Sequence, residues 1–188
     1  MEKATNPCGR WTAQFGRPVP RPPHRRLCVL AGNEEERVLF TEADLSACCA
    51  SRRWVTAVAG RRYRDLDELR EAGARALDEL AWPDVEEALA AHPRIGDRVG
   101  GWSRAEQSGM DAAASDVRAA LIEGNRAYED RFGHVFLICA TGRTAADMLG
   151  DLRARLGNDA EAERAVVRRE LAKIVDLRLA KLAGEWRP

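Results

Sequence analysis

From Thr41 to Leu182 the apolar residues recur at steps of three and four, the period of an α-helix with one face turned to a core. Thr41 and Asp44 stand in a capping arrangement ahead of Leu45 and Ala47, and Ser51 opens a second short helix carrying Trp54, Val55 and Val58. Asp65 with Glu68 three residues on reads as a capping box for a longer helix bearing Leu66, Leu69, Ala76, Leu77 and Leu80. Pro83 suits the first turn of the next helix, which ends at His92 because Pro93 disfavours helical geometry in the residue before it. Val117, Leu121, Asn125, Tyr128 and Phe132 then form one stripe, stopped by Gly133. The apolar run Val135 to Ala140 has the length of a strand, but no second strand pattern lies beside it, so a helix or a lone extended segment is expected. Thr144 caps a helix over 145–156 that Gly157 ends, and a final helix runs from about Asp159 to Leu182.

These elements predict an all-α fold of about seven to nine helices in a single compact domain over residues 37–188. With 188 residues, 45% of them apolar, the chain can bury one substantial core. Residues 1–36 differ in kind. Pro7, Pro18, Pro20, Pro22 and Pro23 alternate there with Arg10, Arg17, Arg21, Arg25 and Arg26, and the apolar residues lack regular spacing, which predicts a disordered tail.

The formal net charge of zero supplies no field to draw the body toward nucleic acid or anionic lipid, and a small-molecule partner fits better. No apolar run approaches the roughly 20 residues that span a bilayer, and neither a secretory signal nor a C-terminal peroxisomal tripeptide is present, so a cytoplasmic protein is expected. A homodimer is compatible with this composition and not required by it. The five cysteines, at 8, 28, 48, 49 and 139, lack paired metal spacing and read as reduced packing thiols, so no metal site is expected.

Four positions carry candidate chemistry. His92, one of three histidines, ends a helix, where orphan carbonyls and the negative pole of the helix dipole favour an imidazolium, and Pro93 with Gly96 builds a sharp loop after it. Ser103 and Glu106 match the S-x-x-E capping box, yet a helix start with free amides also binds anions, so Ser103 and Gln107 can hold a polar ligand that Glu106 faces. Arg178 interrupts the stripe Val167, Leu171, Ile174, Leu182, and a buried guanidinium must meet an acceptor from the protein or from a ligand. Asn125 must likewise satisfy buried backbone or ligand groups, the backbone being favoured.

In order and spacing, His92-Pro93 with Gly96, the Ser103, Glu106, Gln107 pattern, Asn125 and Tyr128 before Phe132-Gly133, the segment Phe136 to Ala140, and Leu177-Arg178-Leu179 form one signature. It resembles that of the 2-oxo-4-hydroxy-4-carboxy-5-ureidoimidazoline (OHCU) decarboxylases, over most of residues 38–182. The resemblance implies an all-helical domain needing neither metal nor organic cofactor, and conversion of OHCU to (S)-allantoin and CO2 in urate breakdown. It implies His92 as proton donor and Glu106 as its catalytic partner. Substrate contacts are implied from Pro93, Ser103, Glu106, Gln107, Arg178 and, largely through the backbone, Phe136, Leu137, Ile138, Cys139 and Ala140. The N-terminal tail has no counterpart in the family pattern, and the loops around Gly100 and Met110 look shortened. Two other classes stay open on residues alone: a noncatalytic helical interaction module, and a decarboxylase of a related carboxylated heterocycle.

Overall fold

The computed structural model describes residues 38–96 and 115–184. Among them are seven helices: α1 (Glu42–Cys48), α2 (Arg52–Val58), α3 (Leu66–Asp78), α4 (Trp82–Ala90), α5 (Ser115–Phe132), α6 (Ala145–Arg155) and α7 (Ala160–Leu182). The all-α expectation is met. The expected tail, residues 1–36, lies outside the described residues.

Capping residues set the helix starts where the sequence places them. Thr41 and Asp44 exchange a reciprocal box, Thr144 does the same with Asp147, and Ser51 and Asp159 each accept an amide from the first turn. Asp65 is a partial exception. Its carboxylate accepts from the Glu68 amide at 2.8 Å, but the Glu68 side chain takes the amide of Arg64 instead of closing the box. Helix α3 also stops at Asp78, leaving Leu80 beyond it, where its amide still donates to the Leu77 carbonyl.

Two features go beyond the sequence reading: a short strand pair, and the way the run 135–140, for which an extended form was one of two expectations, sits in the core. Val38–Leu39 (β1) pairs antiparallel with Arg62–Tyr63 (β2), a ribbon too short for any alternation to show in sequence. The run 135–140 is extended and divides the core. Leu137 belongs to one hydrophobic cluster, formed largely by α1 to α4 and α7, with Val135 and Cys139 packed against it; Phe136, Ile138 and Ala140 belong to a second, shared with α5 and α6. Successive side chains pointing to opposite sides are what an extended backbone imposes. The long helix α7 packs against both α1 and α3, and α5 packs against α6.

Candidate active site

Helix α4 delivers His92. After the cap at Ala91, the His92 amide donates to the Leu89 carbonyl at 2.9 Å, and the ring folds back so that Nδ1 lies 2.8 Å from the Ala88 carbonyl. A carbonyl only accepts, so Nδ1 carries the hydrogen and donates it, satisfying one of the carbonyls a helix C-terminus leaves over. Nε2 is then the reactive edge of the ring. Pro93 and Gly96, the latter at φ 91°, turn the chain away from α4.

Arg178 approaches from the C-terminal part of α7. It is only 8% exposed, and its Nη1 stands 3.4 Å from Nε2 of His92 and 3.5 Å from the carbonyl of Cys48 at the end of α1. The guanidinium therefore meets a carbonyl at the C-terminal end of α1, which carries partial negative charge, and the imidazole that follows α4. Cys48 and Cys49 are fully buried, as packing thiols should be. Burial pushes the Cys49 thiol up to about 11, against an amide hydrogen bond at Ser51 and the pull of Arg178, so it stays protonated at neutral pH.

Among the described residues the segment 135–140 pairs with no strand, so its buried backbone needs side-chain partners, and Arg155 and Glu170 are two of them. Arg155 donates to the Leu137 carbonyl at 2.7 Å, and the Cys139 amide donates to the Glu170 carboxylate at 2.9 Å. Arg155 is in turn paired with Glu163 at 2.6 Å and lies over the Phe136 ring, 4.5 Å from its centroid. Tyr128 and Asn158 also donate to Glu163. Burial raises the Glu163 carboxyl, but the bonds from Arg155, Tyr128 and Asn158 overcome it and leave the group below its ordinary value. At Glu170, burial is likewise outweighed, there by Lys173 and the Cys139 amide. For Tyr128, burial and the bond to Glu163 push the phenol up.

Asn125 resolves on the backbone side. Its Nδ2 donates to the Ile95 carbonyl at 2.9 Å, tying α5 to the loop that follows His92. One turn on, Glu129 accepts from Nε and Nη2 of Arg94 at 2.6 and 2.7 Å, and those hydrogen bonds hold its carboxyl below the usual range.

Of the sequence-predicted site, the described residues bring His92 and Arg178 into contact, with Pro93 beginning the loop beside them. Ser103, Glu106 and Gln107 lie outside the described residues. Sequence reasoning missed Arg155, Glu163 and Glu170. The signal was available for two of them. On α7, Glu163, Val167, Glu170, Ile174 and Arg178 follow one another at steps of three and four and are all buried, so Glu163 and Glu170 interrupt the apolar stripe just as Arg178 does.

The OHCU decarboxylase family model matches residues 35–180. The chain belongs to the OHCU decarboxylase family. It is 30% identical over 129 residues to the 2-oxo-4-hydroxy-4-carboxy-5-ureidoimidazoline decarboxylase of Amia calva, a match covering 64% of this chain and 74% of that protein. It is 37% identical over 108 residues to the uric acid degradation bifunctional protein TTL of Arabidopsis thaliana, covering 53% of this chain and 33% of that longer protein. A crystal structure of OHCU decarboxylase in the presence of (S)-allantoin superposes with a TM-score of 0.71 at 30% identity, covering 77% of this chain and 99% of the solved one. In this OHCU decarboxylase chain, then, the buried charges along α7 are spread over three tasks: Glu163 holds Arg155, Glu170 holds the backbone at Cys139, and Arg178 faces His92. No helix among the described residues is long and apolar enough to cross a membrane.

Proposed function

We propose that His92 is the proton donor, and Arg178 a substrate-orienting group, of an OHCU decarboxylase. The reaction of the family is removal of the carboxyl group from OHCU to give (S)-allantoin and CO2 in urate degradation, which makes the chain a carboxy-lyase. Its substrate carries a carboxylate and a hydroxyl on one ring carbon. Breaking the carbon–carbon bond releases CO2 and leaves an electron pair that the adjoining conjugated ring accepts. What remains for the protein is to orient the substrate, stabilise developing negative charge and return one proton to one face.

The observation that carries this reading is the contact of His92 Nε2 with Arg178 Nη1 at 3.4 Å, within a buried pair. A guanidinium there gives polar ring and ureido groups a fixed fork of donors, with Gln107 assisting. The imidazole beside it is the group able to supply a proton near neutral pH. Glu106 is assigned to holding, or accepting a proton from, the substrate hydroxyl. Pro93, Ser103 and the backbone of Phe136, Leu137, Ile138, Cys139 and Ala140 complete the substrate contacts, with the segment held in register by Arg155 and Glu170. A cytoplasmic location belongs to the same reading.

The test is chiral. Freshly generated OHCU decays on its own to racemic allantoin, so optical rotation under enzyme distinguishes catalysis from decay. One-handed allantoin from the wild type, lost in His92→Ala together with about 10² to 10⁴ in rate, is the expected result. Binding without turnover supports the noncatalytic module, and a near-normal rate in His92→Ala overturns the role of the imidazole.

A further inference from the structure

We infer that Asn125 is a positioning residue for the proton donor: through the Ile95 carbonyl it fixes the loop 93–96 and thereby the aim of the His92 ring. The inference rests on the reading of His92 given above.

Three observations carry it. Asn125 is 2% exposed on α5, and its amide reaches 30 residues back along the chain to the Ile95 carbonyl, three residues after His92. Ile95 itself is buried in the cluster that α5 helps to form, and one helical turn beyond Asn125 the carboxylate of Glu129 grips Arg94 of the same loop. The loop is thus docked on α5 at two consecutive residues. Finally, the Asn125 Oδ1 is buried without a hydrogen-bond partner among the described residues. An unpaired buried carbonyl costs at least as much as one hydrogen bond returns, so stability alone does not explain an asparagine here. An apolar side chain of similar size would fill the same space in α5 without that loss. What leucine lacks is the donor that sets the loop.

The geometry of the ring depends on this. Its Nδ1 is fixed to the Ala88 carbonyl from the α4 side, and the chain beyond Pro93 is fixed to α5 through Ile95. Releasing the Asn125 bond leaves the loop held through Arg94 and the Ile95 side chain, which loosens the aim of the ring, and general-acid transfer is steeply sensitive to misplacement.

The test uses the full chain and two variants, Asn125→Leu, which removes donor and acceptor together, and Asn125→Asp, which keeps size and acceptor but removes the donor. Thermal melting confirms folding, steady-state kinetics on OHCU separate kcat from KM, and the ¹⁵N resonances of the His92 ring report its tautomer in the free protein. A kcat lowered roughly 10- to 100-fold in either folded variant, KM within about twofold, and an averaged or broadened His92 ring signal are expected. Unchanged kcat and ring signal with a lower melting temperature overturn the inference, leaving Asn125 a packing residue. A raised KM with kcat intact overturns it in favour of direct substrate contact. If the wild type turns over no OHCU, the functional reading fails by itself, and the ring signal still decides: unaltered in both variants, it overturns the positioning role.

Discussion

Nη1 of Arg178 and Nε2 of His92 lie 3.4 Å apart, although neither can gain from the other while both are cationic. Arginine stays protonated and can only donate, so in this contact Nε2 faces it as an acceptor, while Nδ1 gives its hydrogen to the Ala88 carbonyl. On the roles proposed above for His92 and Arg178, negative charge on a substrate seated against the guanidinium favours a charged ring beside it, which would couple arrival of the substrate to loading of the proton donor.

Replacing Arg178 tests the coupling. Arg178→Met keeps the length and apolar stem but removes the fork, and loss of a charge-assisted bond of about 1.5–3 kcal/mol should lower kcat/KM roughly 10- to 150-fold. The fold should persist, since an apolar side chain of similar size replaces a buried cation with little loss. Arg178→Lys should recover only part of the rate, because a point charge lacks the planar fork. A melting temperature that falls while the kinetics hold shows instead that the contacts to Cys48 and His92 are structural.

The buried pair Arg155–Glu163 should behave in the opposite sense. Glu163→Gln leaves Arg155 charged and only 7% exposed, a defect of about 3–5 kcal/mol. At roughly 2–4 °C per kcal/mol for a chain of this size, the melting temperature should drop by on the order of 10 °C. Tyr128→Phe, which removes one donor to the same carboxylate, should cost about 1 kcal/mol and shift it by a few degrees. Equal shifts in the two variants contradict a charge-centred network.

Glu163 and Glu170 also set a pH dependence. Both carboxyls sit below their ordinary value in the folded protein, so the folded state holds them ionised more firmly than the unfolded chain does. Their contribution is fully present above the unfolded glutamate value of about 4.3 and is lost as pH falls through the lower folded values. Urea midpoints should accordingly be steady with respect to these groups from pH 7 to about pH 5 and then fall. Glu163→Gln should start lower and show a shallower acid limb; an unchanged limb removes Glu163 from the account.

How much of this was legible depends on the reach of each interaction. Helix starts were readable because Thr41, Ser51, Asp65, Thr144 and Asp159 bond to amides three residues on, within the span that sequence spacing describes. Arg178 was readable as a charge inside an apolar stripe. Glu163 and Glu170 occupy the same stripe, but their partners, Arg155 at a separation of 8 and the Cys139 amide at 31, come from other elements, so no local spacing singles them out. The β1–β2 pairing was hidden for a different reason: two-residue strands offer no period to detect. The absence of a partner strand left helix or extended segment open for 135–140, and its division of the core depends on where α5 and α6 pack.

Two helical glycines separate close packing from propensity. A Cβ added at Gly124 of α5 would stand 2.5 Å from Cδ2 and 3.2 Å from Cγ of Leu152 on α6, a side chain that is 0% exposed. Gly124→Ala must therefore displace the buried Leu152 side chain or the helices themselves, and the expected overpacking cost of about 1–3 kcal/mol outweighs the gain of roughly 1 kcal/mol from better helix propensity. Gly150 lies on the exposed face of α6, and a Cβ there meets nothing within 4 Å. Gly150→Ala should keep the propensity gain in full and raise the melting temperature by a few degrees. Because Ile95 belongs to the cluster that α5 and α6 build, Gly124→Ala should also disturb the loop behind His92 and lower kcat, while Gly150→Ala leaves kcat unchanged. Thermal melts and steady-state kinetics on the two variants check both halves, and a Gly124→Ala protein as stable and active as the wild type contradicts the close approach of α5 to α6.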